Sequence, residues 1–219
     1  MDLKQQATSE QPDTRTAILD ATIAIMSEQG YAAVSSRKVA EKAGLKSNLM
    51  HYHFRTMDDL FLAIFRRAEE RYFEAQAKAL VSDNPLRKLW EMNADSSNTR
   101  ITGELIALAN HRKVIREEIA RSSEKSRKLQ AAIIEKALHE SGVNLPAWPP
   151  IVLSLVMTAI SRLLAMDNVL GVSAGHAEAL SCMEDLLRMI ETVGVDTASP
   201  APNSRNPDDP VTEPEPESI

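Results

Sequence analysis

The stretch from Ser35 to Phe54, SSRKVAEKAGLKSNLMHYHF, decides the fold. Ser35 or Ser36 can accept from the free amides that open a helix over RKVAEKA, and Gly44 supplies the left-handed residue that ends it after about two turns. The chain restarts after Leu45 as KSNLMHYHF, a second helix of about two turns. Upstream, TRTAILDATIAIMSEQG places Ile18, Ala21, Thr22, Ile25 and Met26 on one stripe at helical spacing and stops at Gly30. Downstream, Thr56 opens a long helix with Asp58 and Asp59 in its positively polarised first turn, running to about Val81. Two short helices joined by a glycine turn and backed by a third form a helix-turn-helix. The second member of such a pair is small enough to enter a DNA major groove.

Outward from this unit the sequence predicts only helices. Asn84 before Pro85 is an N-cap followed by proline at the first helical position, and further helical patterns cover 101–110 and 112–141. The polar run ADSSNT, Ala94 to Thr99, interrupts between them. PIVLSLVMTAISRLLAM is apolar nearly all round, whereas HAEALSCMEDLLRMIETVG puts Ala177, Leu180, Met183, Leu187 and Ile190 on one side. Aromatics make up only 4% and glycines number seven, which favours helix over sheet. The expectation is an all-α chain of about nine helices. Its divisions are a flexible segment 1–12, a helix-turn-helix domain 13–57, a larger helical domain 58–194 and a disordered acidic, proline-rich tail 195–219.

Charge and cysteine content narrow the function. The formal net charge is −6, so no overall basic field advertises nucleic acid, and DNA binding has to use a local cationic surface. Residues 1–57 hold seven basic and six acidic side chains, which leaves that region almost neutral. The single cysteine, Cys182, excludes an internal disulfide and a thiolate metal cluster. The N-terminal run MDLKQQATSEQPD lacks the apolar core of a signal peptide. The uncharged stretch Ser141–Ser161 is cut by Pro146, Pro149 and Pro150, so the expectation is a cytoplasmic protein with no membrane partner.

From Thr14 to Ile64 the wording resembles the N-terminal domain of the TetR family of bacterial repressors. The resemblance rests on the ILDA helix, Gly30-Tyr31, Arg37-Lys38-Val39-Ala40, Ala43-Gly44 and Tyr52-His53-Phe54. It implies that Ser36 and Arg37 look toward phosphates, and that Lys46, Ser47, Asn48 and Leu49 form the exposed first turn of a recognition helix. Asn48 stands where the family commonly has glycine, and Leu49 suits contact with a thymine methyl. His51 replaces a frequent tyrosine, while Tyr52 and His53 match and would lie along the backbone. Met57 replaces a frequent lysine, so Arg55 is the substitute phosphate contact. Met50 and Phe54 read as core. His51 and His53 point to different helix faces, so no metal site is expected, and no cofactor.

The resemblance also implies a helical domain that binds a small-molecule effector and dimerises. Candidate pocket residues are Trp90, Asn93, Leu105, Leu108, His111, Met157 and Arg162, with Met92, Trp148 and Asn110 beside them. Arg162, amid ISRLLAM, calls for a carboxylate or an anionic ligand if buried. Candidate dimer contacts are Leu155, Leu163, Leu180, Met183 and Leu187. Gly171-Val-Ser173-Ala-Gly175 spells the G-x-S-x-G of serine hydrolases, but a helix precedes it and only His176 follows, so a turn is expected. The reading is a homodimeric repressor without catalytic activity, bound to palindromic double-stranded operator DNA and released by an effector. The alternatives are a hydrolase using Ser173 and a ligand-independent DNA-binding protein.

Overall fold

The computed structural model describes residues 13–95 and 99–196, and these hold nine α-helices and one turn of 3-10 helix. They are α1 (Thr14–Gln29), the 3-10 turn (Tyr31–Ala33), α2 (Ser36–Lys42), α3 (Ser47–His53), α4 (Met57–Leu80), α5 (Pro85–Ala94), α6 (Thr99–Ala109), α7 (Lys113–Ser141), α8 (Pro150–Leu170) and α9 (His176–Asp196). The expected flexible segment 1–12 and most of the expected disordered tail lie outside the described residues. Val195 and Asp196, assigned to that tail on composition, instead continue α9.

Local signals fix the starts and stops. Ser35 Oγ accepts from the Lys38 amide at 3.3 Å, and Asn84 Oδ1 accepts from the Arg87 amide at 3.3 Å ahead of Pro85. Thr56 and Asp59 form a reciprocal capping box: the Asp59 amide donates to Thr56 Oγ1 at 3.0 Å and the Thr56 amide to Asp59 Oδ2 at 2.9 Å.

Packing then sorts the helices into two apolar cores. The first gathers Ile18, Ile25 and Met26 of α1, Val39, Met50 and Phe54 of the helix-turn-helix, Leu60, Phe61 and Ile64 of α4, Leu105 and Leu108 of α6, and Ile115 of α7. The second gathers Leu86, Leu89 and Trp90 of α5, Ile133, Ile134 and Leu138 of α7, Leu153 and Met157 of α8, and Met183, Leu187 and Ile190 of α9. Helices α4 and α7 run through both. The pairs Asp58–Arg112, Arg66–Glu118, Gln76–Ser126 and Leu80–Lys136 rise together along the two chains, so α4 and α7 are parallel. Between the cores the buried face of α7 turns polar, reading Glu118, Ser122, Ser126 and Gln130 at four-residue spacing.

Helix α9 is fastened to the start of α5 by ions as well as apolar contact. The Arg87 guanidinium donates to Glu184 at 3.1 Å and to Glu191 at 2.8 Å, and Asn84 Nδ2 also donates to Glu191 at 2.8 Å. Hydrogen bonds from Arg87 hold both carboxyl groups below the ordinary value of 4.5. Because these pKa values are depressed on folding, the stabilisation is complete above the ordinary value and is lost as pH falls through the folded ones. The thermal midpoint should therefore drop as pH is lowered below 4.5. Arg87→Gln should lower the neutral-pH midpoint and reduce that acid-dependent fall, as differential scanning calorimetry across pH will show.

Candidate nucleic-acid interface

Helix α3 is presented by two buried anchors. Met50 and Phe54 enter the first core, and Phe54 also lies under the Arg15 guanidinium, 5.4 Å from its ring centroid. With those positions turned inward, Lys46, Ser47, Asn48, Leu49, His51 and Tyr52 are left exposed, Tyr52 at 81%. Leu49 is 38% exposed on this otherwise polar face, and the fold does not need it as core. The turn between α2 and α3 closes because Gly44 takes φ +67°, which lets the Leu45 amide reach the Ala40 carbonyl at 2.9 Å.

Cations surround this face. Among the described residues, Arg37, Lys46 and Arg55 form no ion pair and are exposed, whereas Lys42 is held by Glu28 at 2.9 Å and Lys38 donates to Gln29 at 3.3 Å. A near-neutral domain thus leaves Arg37, Lys46 and Arg55 without carboxylate partners among the described residues. Two anticipated contacts are partly engaged inside the protein. Ser36 Oγ donates to Met57 Sδ at 3.5 Å, which ties α2 to α4, and His53 is half-buried against the edge of Tyr52 at 5.2 Å between centroids.

Sequence reading missed the clamp behind the helix-turn-helix. The Tyr31 amide donates to Glu104 Oε2 at 2.6 Å, and the Tyr31 ring stacks on His111 at 6.4 Å. Arg112 bridges to Asp58 at 2.6 Å, and Arg67 pairs with Asp20. Through Glu104, His111 and Arg112 the α6–α7 elbow grips the turn after α1 and the start of α4, while Arg67 joins α4 to α1 directly. Glu104 lies 73 residues from Tyr31, and no local signal in the sequence joins them.

Comparison with known proteins agrees with this geometry. The family described as bacterial regulatory proteins, tetR family, matches residues 18–64, which run from within α1 to Ile64 in the first third of α4. Residues 18–64 are thus similar to the N-terminal domain of that family. The chain is 27% identical over 104 residues to the HTH-type transcriptional regulator AcrR of Shigella flexneri, covering 47% of this chain and 48% of that protein. It is 34% identical over 79 residues to the HTH-type transcriptional repressor KstR of Rhodococcus jostii, covering 36% and 37%. The chain thus spans about half, or less, of the curated relatives it matches. Over a longer reach the fold is similar to a TetR transcription regulator from Haloarcula marismortui, with TM-score 0.64, 18% identity and coverage of 84% and 97%. It is also similar to a protein from Saccharomonospora viridis solved in complex with choline, with TM-score 0.68, 20% identity and coverage of 81% and 97%.

The residues anticipated as a pocket are not brought to one place. Leu105 and Leu108 are buried in the first core with His111 exposed beside them, whereas Trp90 and Met157 belong to the second. Arg162 is exposed, so the cost of a buried charge does not arise, and Trp148 is 46% exposed. Only Asn93 joins an internal polar network, through Tyr72 and Gln130. Of the anticipated dimer contacts, Leu155, Leu163 and Leu180 are exposed at 41%, 53% and 47%. Met183 and Leu187 fill the chain's own second core and are unavailable to a partner, which corrects their assignment. Ser173 sits in an exposed turn between α8 and α9, and the His176 ring pairs with Asp167 at 3.2 Å.

Gly30 carries the clamp's geometry. Its φ of +83° and ψ of 162° lie in a region essentially confined to glycine, and a Cβ there would meet Glu104 Oε2 at 3.4 Å. Gly44, at φ +67° with open space around it, needs only an ordinary left-handed residue. Gly30→Ala should therefore cost about 1–3 kcal/mol of stability and more than Gly44→Ala, as chemical denaturation of both variants will measure.

Proposed function

We propose that this chain is a cytoplasmic transcriptional repressor that binds a palindromic DNA operator as a homodimer and is released by a small-molecule effector. The observation that carries the DNA reading is the exposed face of α3, held by Met50 and Phe54 and ringed by Arg37, Lys46 and Arg55. Lys46, Arg37 and Arg55 are phosphate contacts, Asn48 and Leu49 face base edges, and Tyr52 and His51 lie toward the backbone. Ser47 contributes a hydroxyl on the same turn, and the partial burial of Ser36 and His53 makes them flanking contacts.

Helix α8 supports the dimer. It is long and apolar enough to cross a membrane by length and composition. Yet Leu153, Ser154, Met157, Ser161 and Ala165 pack inward, and the exposed apolar residues Ile151, Leu155, Leu163, Met166 and Leu170 fall on one opposite stripe. A one-sided stripe fits a second copy across a twofold axis, with Leu180 of α9 beside it. A twofold dimer presents two α3 helices to successive major grooves about 34–36 Å apart. The repressor name of the KstR relative and the choline bound to the Saccharomonospora protein support repression and effector binding respectively.

Enrichment from a pool of random duplexes tests the reading, which expects a palindrome with half-sites one helical turn apart or a multiple. Failure to enrich any sequence overturns it. On the selected operator, Leu49→Ala should cost about 1–2 kcal/mol at one base-pair position. Lys46→Ala should weaken all sequences alike and reduce the salt slope by about 0.9 per half-site. The double variant Leu155→Glu, Leu163→Glu should sediment as a monomer and lose operator affinity, with its helical content intact.

A further inference from the structure

Between the two cores, a set of uncharged side chains bond one another where apolar packing would otherwise continue. Gln130 Oε1 accepts from Ser154 at 3.0 Å and Thr158 at 3.3 Å, and its Nε2 donates to the Tyr72 hydroxyl at 2.8 Å. Tyr72 in turn donates to Asn93 Oδ1 at 3.0 Å. One turn along α4, Gln76 Nε2 donates to Ser126 at 2.7 Å. The seam therefore draws on α4, α5, α7 and α8.

Two amide groups in it are only half used. Gln76 is fully buried, yet its Oε1 has no partner among the described residues, and Asn93 Nδ2, also shielded from solvent, has none among them either. Buried polar atoms are nearly always paired, because their lost hydration is otherwise uncompensated. Here the bonded half of each amide is held in place by a neighbour, while the other half presents one bare acceptor and one bare donor. The bonded members are all neutral. The nearest buried charge along α7, Glu118, is already held by Arg66 at 3.2 Å and by Arg121. An ionised guest would find no counter-charge and would bear its full desolvation cost.

We infer that this seam is the effector site, and that it takes an uncharged molecule whose head group both donates and accepts hydrogen bonds, such as a carboxamide or a hydroxyl. The inference rests on the repressor reading above and adds the place and chemical class of the effector. A donor on the guest satisfies Gln76 Oε1 and an acceptor satisfies Asn93 Nδ2. Its body lies between α4 and α7, the two helices that also carry Leu60, Phe61, Ile64 and Ile115 of the first core. Wedging that pair apart moves the part of α4 on which the helix-turn-helix is packed.

Three probes on one ring system test this: cyclohexanecarboxamide, cyclohexanecarboxylate and cyclohexylmethylammonium, titrated into the full 15N-labelled chain. The side-chain amide resonances of Gln76 and Asn93 are assigned with Gln76→Met and Asn93→Leu. The carboxamide should shift both resonances saturably, with both charged probes at least tenfold weaker. Unmoved resonances, or equal response to a charged probe, overturn the assignment. The paired variant Gln76→Met, Ser126→Ala removes the bare acceptor together with its bonded partner. It should melt no lower than the wild type and bind the carboxamide at least tenfold more weakly. Undiminished binding by that variant also overturns the proposal. Operator binding is measured on the same samples: a wild type that binds no duplex refutes the repressor reading, whatever the amide resonances do.

Discussion

The structure depends on the parallel packing of α4 against α7. At 24 and 29 residues these helices are about 36 and 43 Å long, enough to pass through both apolar cores. The first core, which holds α1 to α3 in place, includes Leu60, Phe61 and Ile64 of α4 and Ile115 of α7. The second includes Ile133, Ile134 and Leu138 of α7, with Leu80 of α4 packed against it. No glycine or proline interrupts either helix, so nothing in their backbones provides a hinge between the cores. The orientation of α3 is set by the same two rods that frame the polar seam.

Contacts at the near end reinforce this constraint. Glu104, His111 and Arg112 reach from the α6–α7 elbow to Tyr31 and Asp58, while Arg66 and Arg67 of α4 reach Glu118 and Asp20. Exposed ion pairs contribute little individually, but the Glu104 contact is a charge-assisted bond to a backbone amide and is partly buried. It fixes the turn from which α2 departs. Charge placement around α3 answers how an acidic chain with formal net charge −6 can present a DNA-reading face. Lys42 is paired with Glu28, but Arg37, Lys46 and Arg55 are left without carboxylate partners among the described residues, so positive charge is available beside α3 despite the negative total.

What was legible in the sequence was local. The Ser35 cap, the Gly44 turn, the Thr56–Asp59 box and Asn84 before Pro85 each act within five residues, and every one of them stands in the structure. The inward positions Met50 and Phe54 were legible for the same reason. The separation of the pocket candidates was not, because Leu105 and Trp90 look alike as apolar helix residues, and only tertiary packing sends them to different cores. Met183 and Leu187 misled similarly: the apolar stripe of α9 is consumed by its own chain, leaving Leu180 and the outer face of α8 exposed. Along α7 the dense Lys, Arg and Glu residues suggest a solvated face and hide the Ser122, Ser126, Gln130 line behind it.

The helix-turn-helix and the second core form one mechanical body joined by α4 and α7. Native-state amide hydrogen exchange in low denaturant tests it most directly. Amides at Ile25 and Met26 of α1 and at Ile133 and Ile134 of α7 should exchange with the same opening free energy and the same denaturant dependence, through a single global unfolding. Exchange of the α1 amides through a separate opening, with a smaller denaturant dependence while α7 stays protected, would contradict it.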